Sequence, residues 1–116
     1  MIVVIGAGRA GLSAAATLRQ GGETVVVLER GEVGAAWTTR YDRLHLHTVR
    51  WLSSLPGYRI PRSFGRWPSR DHVVEYLRRY AARNELDVRT GVEVRTIERE
   101  GAGWEVRTDA GSFAAE

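Results

Sequence analysis

The apolar positions of this chain switch repeatedly between strand-like and helix-like order. Ile2-Val3-Val4-Ile5 is a continuous apolar run of the kind found in a strand covered on both faces. After a glycine-rich break, Leu12, Ala15 and Leu18 recur at helical spacing, which predicts a helix from about Arg9 to Gln20 ended by Gly21-Gly22. Small residues at Ala14, Ala15 and Ala16 let that helix approach the strands closely. A second apolar run predicts a buried strand from Thr24 to Glu29.

From Gly31 to Arg70 the periodicity fades while Gly, Pro, Trp and Arg accumulate. The stretch is too long for a plain connection and reads as a functional insertion. Order returns at Pro68-Ser69, a helix start, with Val73, Val74, Leu77, Tyr80 and Ala81 on one face and an end near Asn84. Alternating segments follow: Asp87 to Thr90 leading into Val92 to Arg99, then Trp104 to Thr108, then Ser112 onward. The turns at 101–103 and 109–111 carry hairpin chemistry. Two parallel-type strands with a helical crossover and then an antiparallel meander over 85–116 is the expected order, an α/β chain of 116 residues forming one domain.

The Gly6-Ala7-Gly8-Arg9-Ala10-Gly11 break gives this order a chemical meaning. A tight turn at Gly6, a bare backbone at Gly8 and close helix–strand packing at Gly11 form a dinucleotide cradle. The anion sits at the N-terminus of the helix beginning near Arg9, where free N–H groups and the helix dipole favour it. Glu29 stands eighteen positions after Gly11, at the offset of a carboxylate that accepts ribose hydroxyls.

Charge adds less. The net charge is +3, and all seventeen basic residues are arginine. Interleaving with acids, as in Arg95, Glu98, Arg99 and Glu100, describes a solvated surface and no nucleic-acid stripe. Some arginines instead suit an anionic cofactor. No apolar stretch is long enough to span a bilayer and no signal peptide is recognisable, so a cytoplasmic location is the expectation. The absence of cysteine excludes a redox dithiol, and with it the disulfide-reductase branch of flavoproteins, for this segment. Three histidines without a carboxylate cluster give no metal site.

The stretch Leu28-Glu29-Arg30, then Gly34-Ala35-Ala36-Trp37, then Arg40 to Thr48 (RYDRLHLHT), Leu55-Pro56 and Trp67 to Arg70 (WPSR) resembles the flavin-containing monooxygenases. It is most similar to their YUCCA-like branch and to related bacterial FAD/NAD(P)-dependent oxidoreductases. The resemblance runs over essentially the whole chain and implies the Rossmann-like FAD-binding domain of the two-dinucleotide-binding-domain flavoproteins, here truncated. By that resemblance Gly6, Ala7, Gly8, Arg9, Ala10 and Gly11 hold the FAD pyrophosphate, and Glu29, beside Arg30, holds the adenosine ribose. Ala36 and Trp37 line the ribityl and pyrophosphate part. His47 and Thr48 reach the flavin ring; animal members carry Asn where this chain has His47, and YUCCA-like members carry His. The backbone of Val94 meets the adenine.

Two departures stand out. Ala35 and Ala36 replace the two glycines the family often writes before the tryptophan. The second GxGxxG for NADPH, the FxGxxxHxxxW fingerprint and the Ala-Thr-Gly strand are absent, so a C-terminal NADPH domain or a partner chain is expected to supply that site. The resemblance implies NADPH-dependent oxygenation of a small organic substrate by the complete enzyme, with His47 as the candidate catalytic residue. A non-catalytic FAD- or adenine-nucleotide-binding fragment and a plain NAD-binding Rossmann domain remain the alternatives. Trp51, Trp67 and Trp104 read as packing residues, His45 and His72 as surface or capping residues, and Asp71 and Glu75 as solvated acids on one helical face.

Overall fold

The computed structural model describes residues 1–116. Strand β1 (Ile2–Ile5) leads through the glycine loop into helix α1 (Arg9–Gln20) and strand β2 (Val25–Leu28). Two single-turn helices, α2 (Ala35–Thr38) and α3 (Arg50–Ser53), and a 3-10 turn at Arg62–Phe64 punctuate the insertion before helix α4 (Arg70–Arg83). Strands β3 (Asp87–Arg89), β4 (Val94–Glu100), β5 (Gly103–Thr108) and β6 (Gly111–Ala115) complete the chain.

The strands form two sheets. β1, β2 and β3 are parallel in that order, and β4, β5 and β6 are an antiparallel meander. The pleat of β2 explains their stacking, because alternate side chains of a strand face opposite sides. Val27 packs with Leu12, Ala15, Ala16, Leu77 and Tyr80 of α1 and α4, whereas Val26 and Leu28 pack with Val106 and Phe113 of the meander. The molecule is thus layered as helices, parallel sheet and meander. Tyr80, Leu12 and Leu77 are fully buried, each worth about 2 kcal/mol of transfer free energy.

The helix boundaries follow local chemistry. Ser69 accepts the His72 N–H through Oγ at 3.2 Å, a side-chain N-cap, and Asn84 closes α4. Gly21 caps α1 and Gly22 follows at φ +94°. In α1, Ala15 and Ala16 are buried while Ala14 faces solvent.

Three expectations need correction. Asp87–Arg89 does not run on into the meander; it pairs in parallel with β2, so the α/β part has three parallel strands. Here α4 supplies the crossover that returns the chain to the sheet. Trp51, Trp67 and Trp104 are 56, 46 and 42% exposed and do not fill a core. Arginine explains this placement: Arg66 lies over both Trp51 and Trp67, Arg50 over Trp51 and Arg99 over Trp104, so cation–π stacking covers rings at the surface. His72 caps only through its backbone; its ring stacks on Phe64 at 4.2 Å and 4°. Asp71 and Glu75 are exposed and pair with Arg70 and Arg79.

No helix is long and apolar enough to cross a membrane.

Candidate functional site

The three glycines of the loop meet three different steric conditions. Gly6 has φ +99°, a conformation that L side chains rarely adopt. A Cβ on Gly8 would meet no atom within 4 Å, so this stretch of backbone is bare and open. A Cβ on Gly11 would stand 1.9 Å from the Gly6 carbonyl oxygen, an impossible contact. Close packing of α1 against the turn therefore needs glycine there. At the start of α1 the N–H groups of Arg9 and Ala10 donate to no carbonyl of the protein. They are free to receive an anion along the helix axis.

Glu29 ties this loop to the next. Its Oε2 accepts the Ala7 N–H at 2.7 Å and its Oε1 accepts the Gly31 N–H at 2.9 Å. Its own backbone is bracketed by bonds from Glu29 N to Arg89 O and from Val92 N to Glu29 O. Each carboxylate oxygen keeps a lone pair beyond these bonds, so the group remains an acceptor for hydroxyls. The Gly34 N–H donates to Ala7 O at 3.0 Å and fixes the N-terminus of α2 beside the cradle.

Three clefts open around these elements. One, of about 370 Å³, is lined by Gly6, Glu29, Arg30, Val92 and Val94 among others. A second, of about 290 Å³, shares Glu29 and Arg30 and adds Gly8, Gly31, Ala36 and Thr39. A third, of about 280 Å³, takes Trp37, Arg40, Leu44, His45 and His47. The first two clefts meet at Glu29 and Arg30, and α2 lends Ala35 and Ala36 to the second and Trp37 to the third.

Most of the residues singled out in the sequence line one of these clefts. Gly6, Glu29, Arg30 and Val94 share the first cleft, Gly8 and Ala36 enter the second, and Trp37 and His47 the third. Ala7 is wholly buried behind the loop. Arg9 turns its side chain elsewhere: Nη2 donates to the Ser53 carbonyl at 2.8 Å. Ala10 and Thr48 are exposed, and the Thr48 hydroxyl meets Ser53 Oγ at 2.6 Å. Gly31, Thr39, His45 and Val92 were not among the sequence candidates, although Gly31 closely follows Glu29 and Val92 opens the segment that carries Val94. His45 is exposed at the surface, with Nδ1 donating to Arg43 O at 2.8 Å, and also lines the third cleft.

The floor under the insertion is built from tyrosines of α4. Tyr76 Oη accepts the Leu55 N–H at 2.9 Å and donates to the Tyr58 carbonyl, and Tyr80 Oη donates to Pro56 O at 2.8 Å. Burial pushes both phenols above the ordinary tyrosine range.

Comparison with known proteins gives the chain a family. The family model for pyridine nucleotide-disulphide oxidoreductases matches residues 3–116. An uncharacterized CzcO-like oxidoreductase of Geobacillus kaustophilus (strain HTA426) is 34% identical over 116 residues, covering 99% of this chain and 33% of that protein. Indole-3-pyruvate monooxygenase YUCCA8 of Oryza sativa subsp. indica is 38% identical over 117 residues, covering 97% of this chain and 28% of that protein. Among solved structures, the flavin-containing monooxygenase from Stenotrophomonas maltophilia superposes with a TM-score of 0.91 at 35% identity, over 98% of this chain and 35% of that one. The chain thus spans about a third of the length of these relatives. With no cysteine among its residues, the match lies in the nucleotide-binding framework and not in a dithiol. The chain belongs to the pyridine nucleotide-disulphide oxidoreductase family, and its likeness within that family is to flavin monooxygenases of the YUCCA and flavin-containing type.

Proposed function

We propose that these 116 residues bind FAD as the cofactor-holding part of a flavoprotein monooxygenase-like oxidoreductase. One observation carries the reading: Glu29 stands at the junction of two clefts, one floored by bare Gly8 and the other closed by Val94. An adenosine in the first cleft places its ribose beside Glu29 and its base against the Val94 backbone. The pyrophosphate then follows Gly8 to the free N–H groups of Arg9 and Ala10, with Arg30 as a cation alongside. Ala36 and Trp37 continue the path, and His47 and Thr48 are assigned to the ring end. Bound FAD would supply the redox chemistry; the chain's own residues bind it, orient it and shelter one side of it.

In the complete protein, the resemblance to flavin monooxygenases supports NADPH-dependent oxygenation of a small organic substrate in the cytoplasm. The NADPH site comes from a further domain or a partner chain. His47 is the proposed polar group at the reactive end.

The purified chain tests the reading directly. It is expected to bind FAD with a shifted visible absorption band and to bind ADP through the adenosine end alone. Binding of ADP without FAD would favour the bare adenine-nucleotide module. Tight NADH binding by a colourless protein would favour a plain NAD domain.

A further inference from the structure

The loop assigned to the ring end and the glycine cradle are joined by one arginine and one buried serine. α3 is a single turn, and short helices end in carbonyls with no intrahelical partner. Arg9, the first residue of α1, donates through Nη2 to the last of these, Ser53 O, at 2.8 Å. Ser53 itself is 2% exposed, the one polar residue in the buried set. Its Oγ donates to Val49 O at 2.9 Å, also lies 3.3 Å from Thr48 O, and meets Thr48 Oγ1 at 2.6 Å.

A hydroxyl has a single proton to donate. When the Ser53 proton goes to the Val49 carbonyl, the Thr48 hydroxyl is the donor in the 2.6 Å contact. In that arrangement Thr48 Oγ1 offers a lone pair to anything that approaches it. These contacts of Ser53 Oγ tie down the backbone turn that carries His47 and Thr48. From the opposite side, Tyr76 and Tyr80 hold Leu55, Pro56 and Tyr58, so the segment has little freedom to re-seat itself.

We infer that Ser53, secured by Arg9, is a positioning residue: it presents the His47–Thr48 turn to the ring end of the bound dinucleotide. Ser53 is not among the residues lining the three clefts and acts through Thr48. The inference rests on the FAD reading above and adds a division of labour to it. The cradle binds the phosphates, and the Arg9–Ser53 link passes its rigidity to the ring end.

The two ends of the cofactor can be read separately in the 116-residue chain. ADP probes the cradle alone, whereas FAD probes both ends. Ser53→Ala is expected to raise the Kd for FAD about tenfold, as loss of one buried hydrogen bond would, and to leave the Kd for ADP within about twofold. The absorption band of the bound flavin should shift as well, a signal that a purely structural role would not move. Thr48→Val removes the same bond together with the Thr48 hydroxyl itself, and should weaken FAD at least as much with ADP unchanged. Parallel losses for FAD and ADP, or unchanged FAD binding in either variant, overturn the positioning role alone. Wild-type chain that binds ADP and not FAD overturns the cofactor reading and this inference together.

Discussion

Gly11 packs so closely on Gly6 that a methyl group on Gly11 would sit 1.9 Å from the Gly6 carbonyl oxygen. Three residues earlier in the same loop, a methyl group on Gly8 would meet nothing, and its φ of −91° suits any residue. Two glycines of one motif are thus held for opposite reasons. Gly11→Ala should destabilise the fold by more than about 3 kcal/mol, since backbone must move to admit the Cβ. Gly8→Ala should alter stability by less than about 1 kcal/mol while weakening ADP at least about tenfold, because the methyl stands where the phosphate approaches. Urea denaturation paired with ADP titration separates the two; equal stability losses would refute the distinction.

Glu29 bridges two backbone N–H groups, so its charge serves the unliganded fold as well as the ligand. Glu29→Gln keeps one oxygen acceptor and turns an NH2 group toward the other N–H. We expect a loss of about 2 kcal/mol in unfolding free energy, from one charge-assisted bond broken, together with weaker ADP binding. Stability equal to wild type in urea would show that the two N–H groups find other partners.

Tyr76 holds the segment after α3 at both Leu55 and Tyr58. Tyr76→Phe removes the hydroxyl and leaves a buried N–H and a carbonyl without their partner, a cost of about 2 kcal/mol. Amide hydrogen exchange should speed up at Leu55 ahead of the sheet amides of Val26 and Val27. Uniform acceleration across the chain would indicate global loosening instead.

Alkaline pH acts through the same residues. Burial raises the Tyr76 and Tyr80 pKa above the ordinary 10.0, which means the folded state holds these protons more tightly than the unfolded chain. The stabilisation is complete below pH 10 and is lost as pH climbs through the folded values. Unfolding free energy should therefore fall as pH rises above about 10, and tyrosinate absorbance should lag behind that of free tyrosine. Retention of full stability across that range would contradict the shifts.

Local chemistry made the long elements legible. The α1 and α4 limits follow from helical spacing, Ser69 as a cap and glycines past Gln20, because each depends on residues within a few positions of one another. The pairing of Asp87–Arg89 was not legible: three alternating residues suit a meander edge as well as a parallel strand. Their partner was decided by where α4 delivers the chain, against β2. The outward placement of the three tryptophans was not legible for a related reason, since hydrophobic character alone does not show an arginine folded over the ring.

The candidate site divides in the same way. The sequence by itself determined the glycine cradle, the acid after the second strand and the resemblance to a flavin monooxygenase, because steric demands on a phosphate loop are written in adjacent residue types. Only the tertiary structure decided that Arg9 reaches across 44 positions to Ser53 and that Glu29 clasps Ala7 and Gly31. It likewise decided that Val94 returns from the meander to close the cleft beside Glu29. Those contacts join residues whose spacing in the chain carries no periodic signal, and they exist because stacking the helices and the meander on opposite faces of β2 brings the loops together at one end of the sheet.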